Sequence, residues 1–262
     1  MATVHNFQYG PVTPVAAYLL SSLGAFLGLR CTTRARVLDG AARTSWLLLA
    51  AVGIGALGVW VMHFIAMLGF AIPGETIHYS VPVTLLSVLI AVAVVAAGLL
   101  IVGFSQPTWR NLTLAGTVTG LGVATVHFTA MGAMRMPAMM SYNIPLFGIS
   151  ALIGIALAIT TFWAAMRLTR IWPTIWAALL IGAAVTVMHY TGMAAMRVSM
   201  PSADMVMNTG GATIGGFLLP LICCITLMTF LLISIIGISP SAQEIKEEAE
   251  LLERSRARGL QV

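Results

Sequence analysis

The sequence predicts an all-α polytopic membrane protein: seven transmembrane helices, built as three parallel two-helix repeats with a seventh helix appended. Three observations carry that prediction. The 262 residues are 59% hydrophobic and only 8% charged, a composition no soluble domain of this length carries. Seven apolar stretches reach or approach the roughly 20 residues that cross a bilayer. Marker residues recur along the chain about every 63 positions.

The expected spans are 12–29, 46–70, 81–104, 111–134, 145–168, 174–197 and 213–238. The first is the shortest. It lacks a basic leader and a small-residue cleavage site, so a retained helix is expected there in place of a signal peptide. Residues 1–240 read as one membrane domain. Residues 241–262 read as a short cytoplasmic amphipathic helix or tail, with Ser241 and Glu244 spaced as a capping box and Glu250 and Arg254 as a favourable helical pair.

Basic residues set the orientation. Arg30, Arg34, Arg36 and Arg43 follow helix 1, Arg110 follows helix 3, Arg167 and Arg170 follow helix 5, and Lys246, Arg254, Arg256 and Arg258 lie in the tail. The bias places the N-terminus outside and the tail in the cytoplasm, with Arg135 and Arg197 alone on the outer side. Cytoplasmic arginines beside anionic lipid headgroups account for the net charge of +5 without nucleic acid. Cys31, Cys223 and Cys224 form no CxxC and no disulfide framework, and read as small packing residues.

The repeat is legible in several markers. Trp46, Trp109 and Trp172 begin the even-numbered helices at intervals of 63. Tyr79-Ser80-Val81-Pro82 matches Tyr142-Asn143-Ile144-Pro145 at the start of odd-numbered helices, with Tyr9-Gly10-Pro11 as a shorter echo. Two spans per unit give the copies one orientation and a pseudo-symmetry axis along the membrane normal. Small residues precede each histidine of the repeat by seven and five positions: Ala56 and Gly58, Gly120 and Gly122, Gly182 and Ala184. Such residues let helices approach closely in lipid. Helices 2, 4 and 6 are therefore expected to converge, with His63, His127 and His189 at one depth. The 17 or 18 residues from tryptophan to histidine span roughly 26 Å of helix, which puts the imidazoles in the outer leaflet.

Each of those histidines opens a chemical motif. Met188-His189-Tyr190-Thr191 leads to Met193 and Met196; Val126-His127-Phe128-Thr129 leads to Met131 and Met134; Met62-His63-Phe64-Ile65 leads to Met67, with Phe70 at the last place. An imidazole with thioethers four and seven residues later lays soft donors along one helical face. Imidazole and thioether suit copper, thioether favouring Cu(I) over Cu(II). Thirteen of the 16 methionines lie toward the outer side, a one-sidedness that core packing does not require. Met136, Met139, Met140, Met200, Met205 and Met207 read either as a metal-capture surface or as interfacial packing. Thr129, Thr191 and Tyr190 are candidates to orient the imidazoles. Arg135 and Arg197 read as snorkelling helix ends, or as partners for an anionic ligand, Asp204 or Glu75. His5 and His78 read as exposed loop histidines. One shared site and three separate His–Met faces both fit these spacings.

On these residues the chain resembles the bacterial MHYT domain family, literally at 188–191 and nearly so at 126–129, while 62–65 departs at its last two positions. The resemblance implies an integral sensor module of the bacterial cytoplasmic membrane with six or seven spans. It further implies copper near the outer face, detecting oxygen, carbon monoxide or nitric oxide. That role would fall on Met62, His63, Met67, His127, Met131, Met134, Met188, His189, Met193 and Met196. Family members continue into cytoplasmic output domains; here the expected partner is a separate cytoplasmic signalling protein. A copper conduit and a copper or haem metalloenzyme are the competing readings. Conduction needs donors through both leaflets, and the inner halves of helices 2, 4 and 6 offer no His, Met, Asp or Glu. No nucleophile–base set or phosphate loop suggests ordinary catalysis.

Overall fold

The computed structural model describes residues 5–106, 108–136, 138–199, 210–238, 250–251 and 253–255. Among the described residues, six helices are long and apolar enough to cross a membrane: α1 Val12–Ala35, α2 Gly40–Met67, α3 Val81–Phe104, α4 Trp109–Gly132, α5 Ile144–Arg167 and α6 Ile171–Ala195. A further helix, α7, starts π-wound over Ile214–Leu218 and continues as Leu219–Ile238. The tail's capping-box residues Ser241 and Glu244 lie outside the described residues, whereas Arg254 and Glu250 do approach to 4.0 Å.

The six spans close into a ring in chain order, each packing on its sequence neighbours and α6 returning to α1. The repeated markers are helix starts except for Trp46, which lies six residues inside α2 because that helix begins at Gly40 and not at 46. Ser80 and Asn143 are the N-caps of α3 and α5, each with proline in the first turn, where its missing N–H leaves nothing unpaired. The Asn143 side chain accepts the Leu146 N–H at 3.2 Å, and the Thr108 hydroxyl does the same for Asn111 at 3.3 Å before α4.

Close approach is made by glycine, as the small residues foretell. A Cβ on Gly24 of α1 would stand 2.6 Å from the Gly53 carbonyl oxygen of α2. One on Gly120 would stand 2.6 Å from the Ile155 nitrogen of α5, and one on Gly182 2.8 Å from the Ser22 nitrogen of α1. Neither partner is a movable side chain, so Gly120→Ala is expected to destabilise the protein by about 1–3 kcal/mol. Gly148→Ala, with nothing within 4 Å, serves as its control in a thermal melt.

Three expectations need correction. The first helix is no shorter than α3, α4 and α5: it runs 24 residues, to Ala35 and not to 29. Its arginines are used on the protein, not left in a connection. The Arg34 guanidinium lies 5.1 Å over the Trp46 ring, and Arg36 donates to the Met166 and Leu168 carbonyls at the end of α5. Second, α2 winds as a π-helix over Val52–Val61, and α7 packs on that widened turn. Leu57 is 1% exposed there, against 50% for Leu121 in the next copy. Third, α4 ends at Gly132 and α6 at Ala195, so Met134 and Met196 are not on the helical face of their histidines.

Those two methionines open strands. β1 (His78–Tyr79) pairs antiparallel with β2 (Met134–Arg135), and β3 (Met139–Tyr142) with β4 (Met196–Ser199). Single bridges add His5 to Ala71 and Ala212 to Tyr79. Each inter-repeat connection is thus hydrogen-bonded to the next, forming a cap over the end of the ring where the histidines lie. Tyr79, Met134, Met136 and Val198 of this cap are buried in the central core. Burial pushes the Tyr79 hydroxyl well above its usual pKa, and that of Tyr142 upward to a lesser degree of burial.

Candidate metal centre

Three imidazoles meet inside the ring beneath this cap. Ring centroids are 5.0 Å apart for His63 and His127, 4.9 Å for His63 and His189, and 5.2 Å for His127 and His189. The planes stand nearly perpendicular, at 90°, 86° and 80°. The triangle is close to equilateral, as three equivalent helices around one axis require. Of the two arrangements the spacing allowed, the histidines adopt the shared one.

All three rings are buried, and their donor atoms lie within 4.8 Å of one another. His63 Nδ1 and His189 Nδ1 are 3.1 Å apart, so one donates to the other. His63 Nε2, both nitrogens of His127 and His189 Nε2 have no hydrogen-bond partner. Buried polar atoms are normally paired because stranding them costs about 1–3 kcal/mol each. Each neutral ring offers one lone-pair nitrogen, and three such rings facing one another point to a guest that binds lone pairs. Nitrogens 2.0–2.1 Å from a shared ion lie within about 4 Å of one another, a spacing this triangle meets with small ring movements.

The surroundings hold each ring in place. The residue after each histidine sets an aromatic edge against it, Phe64 at 5.0 Å, Phe128 at 4.9 Å and Tyr190 at 5.0 Å. Ser150 of α5 donates to the Met188 carbonyl at 2.9 Å, tying down the turn that carries His189. In α2, Trp60 Nε1 donates to the Ser87 hydroxyl at 2.8 Å, both buried. Trp60→Phe is expected to cost about 0.5–1.5 kcal/mol, the net worth of one hydrogen bond, since Ser87 keeps its bond to the Thr84 carbonyl, measurable as a lower melting temperature. Gly192 faces His127: a Cβ there would come 2.6 Å from Nε2.

The predicted methionines divide by place. Met62 and Met188, with Val126, line a small void touching the imidazoles on the side away from the cap. Met67, Met131 and Met193 are buried one turn toward the cap, 2%, 0% and 4% exposed, in one core cluster with Met134. Met196 packs against that cluster, and Phe70 belongs to it. Met136 is buried and cannot be part of a capture surface, whereas Met139 is 46% exposed; Met140 is partly buried. Met200, Met205, Met207 and Asp204 lie outside the described residues.

The expected orienting contacts are not made by the threonines. Thr129 donates to the Thr125 carbonyl and Thr191 to the Val187 carbonyl, each at 2.8 Å. A helical threonine finds its own i−4 carbonyl closer than any neighbour's ring. Tyr190 touches His189 through its ring and packs against Phe7 at 5.3 Å. Arg135 sits half-buried opposite His78 in the β1–β2 ladder, and Arg197 exposed opposite Ser141. His5 is exposed, but His78 is only partly so, with Nδ1 buried. Cys31 is buried as expected of a packing residue, while Cys223 and Cys224 face outward.

One feature of the site was missed in the sequence although its signal is there. Val59, Val123 and Val185 stand four residues before the three histidines, and they line the voids on the inner side of the triad.

A ring of apolar helices enclosing three histidines defines an integral membrane protein with a candidate metal centre. The MHYT repeat, a bacterial signalling protein N terminal repeat, matches residues 57–115 and 120–178. The chain belongs to that family. The third motif copy, at 188–191, follows the second match. Among relatives, the bifunctional diguanylate cyclase/cyclic di-GMP phosphodiesterase MucR of Pseudomonas aeruginosa is 30% identical over 255 residues, 95% of this chain and 37% of that protein. The cyclic di-GMP phosphodiesterase NbdA of the same organism is 35% identical over 207 residues, 76% of this chain and 26% of that protein. An uncharacterized signaling protein of Caulobacter vibrioides is 30% identical over 195 residues, 73% and 24% of the two chains. The chain thus spans roughly a quarter to a third of the length of these relatives. No solved structure matches it.

Proposed function

We propose that this chain is a copper-binding membrane sensor, responding to a diatomic gas (oxygen, carbon monoxide or nitric oxide) or to copper itself. The observation that carries the reading is the triangle of buried imidazoles with four unpartnered nitrogens. His63, His127 and His189 would hold the ion through neutral ring nitrogens. The thioethers of Met67, Met131 and Met193 lie one turn away on the cap side, which favours copper over the harder divalent ions. Bound copper would supply a redox-active centre able to take a diatomic molecule as an added ligand. The protein's own part is to exclude water with apolar walls and the cap, and to hold the rings by aromatic edges and by Gly192.

The arginine bias supports an outer triad and a cytoplasmic tail in a bacterial cytoplasmic membrane. The relatives named above include enzymes of cyclic di-GMP turnover, so the signal is proposed to reach a cytoplasmic partner of that kind. Conduction of the ion is disfavoured, because the inner void lined by Ile54, Val95 and Phe162 offers no metal donor. Elemental analysis and absorption spectra of the purified full-length chain test the reading. Near-stoichiometric copper without a Soret band is expected; a Soret band would replace copper with haem, and no metal after copper loading would end the proposal.

A further inference from the structure

Two voids lie along the ring axis on the inner side of the triad. The nearer, about 10 Å³, touches all three histidines and is walled by Val59, Met62, Val123, Val126 and Met188. The farther, about 30 Å³, shares Val59 and Val123 with it and continues between Val95, Ala158, Phe162 and Val185. The farther void is walled by carbon apart from Thr161 and Thr119, whose hydroxyl already donates to the Val94 carbonyl at 3.1 Å, while the nearer one borders the three imidazoles. A water needs two to four polar partners to occupy a cavity, and a space walled almost wholly by carbon, as the farther void is, stays dry and admits small apolar guests instead.

Access points the same way. Toward the outer water the triad is closed by the strand-laced cap, whose Tyr79, Met134, Met136 and Val198 are buried in the central core. Toward the middle of the membrane lie the voids, reaching Val95 of α3 and Phe162 of α5. Apolar gases concentrate in hydrocarbon relative to water, so the bilayer is the richer source. We propose that the paired voids are a binding site for one small apolar molecule, diatomic in size, and deliver it to the histidine triad from the bilayer interior and not through the cap. The delivery half rests on the metal centre proposed above; the binding half does not.

Xenon is the probe for binding, since it needs no metal. In xenon-pressurised crystals of the full chain, density is expected beside Val123 and Val185 in the wild type and equally in His189→Ala. It is expected to vanish in Ala158→Leu, whose side chain fills the farther void, and to persist in Val185→Ala, which enlarges it. An empty void in the wild type, or xenon undiminished in Ala158→Leu, overturns the site. For delivery, carbon monoxide binding to the copper-loaded protein in lipid nanodiscs is timed after a flash. Ala158→Leu is expected to slow it about tenfold at unchanged copper content, with Val185→Ala at or above the wild-type rate. An unchanged rate in Ala158→Leu overturns the route while leaving the metal centre standing. Absence of copper in the wild type overturns the metal centre and the delivery step with it, while xenon still decides the cavity.

Discussion

His127→Ala is expected to weaken copper binding at least about 100-fold in the purified variant. Loss of a mere supporting contact outside a metal's ligand shell costs 10–100-fold, and His127 would be a ligand itself. The same change should do little to the metal-free fold. Neither nitrogen of His127 has a hydrogen-bond partner, so alanine strands no donor or acceptor and removes two buried polar atoms that were unpaired. Metal-free wild type and variant should therefore melt within a few degrees of each other. Copper at about 1,000 times its dissociation constant stabilises a folded protein by about 4 kcal/mol, and that gain should be missing in the variant. Equal copper content in both proteins would show that the triangle is not a metal site. His63 and His189 are less clean subjects, because removing either breaks their 3.1 Å pair.

Gly192→Ala is expected to give the second large effect, and it acts without removing a candidate donor. Its Cβ would lie 2.6 Å from Nε2, 3.1 Å from Cδ2 and 3.2 Å from Cε1 of His127. The imidazole must swing away, and the triangle loses its third corner while all three histidines remain. Copper affinity is expected to fall about 10–100-fold, the range for loss of an orienting contact. Stability should fall by about 1–3 kcal/mol from overpacking. Gly132→Ala near the end of α4, with nothing within 4 Å of the added carbon, should leave copper binding untouched. Copper titrations on the two glycine variants side by side decide the matter; equal affinities would remove Gly192 from the site.

Much of the centre was readable before any coordinates. The 63-residue spacing of tryptophans, the paired Tyr-x-x-Pro starts and the three histidines imply equivalent helices around one axis, and those features stand at corresponding places in the ring. Such marks are visible because they are local: a proline in a first turn or a glycine at a crossing depends on a few neighbours in the chain. The failures share the opposite cause. Arg34 and Arg36 read as connection residues until the Trp46 ring and the α5 carbonyls are beside them. Met134 and Met196 continue a helical spacing, yet their backbones pair with strands from other connections. Thr129 and Thr191 carry hydroxyls suited to an imidazole but bond within their own helices.

By itself, then, the order of residues determined the membrane setting, the threefold architecture and which nitrogen and sulfur side chains are candidate donors, since apolar length, periodicity and side-chain chemistry are properties of the chain alone. Tertiary structure decided that the three imidazoles share one triangle, that strands cap it at one end of the ring, and that repeated valines leave space on its other side. Those outcomes depend on distances between segments more than fifty residues apart, which packing sets and no local pattern encodes.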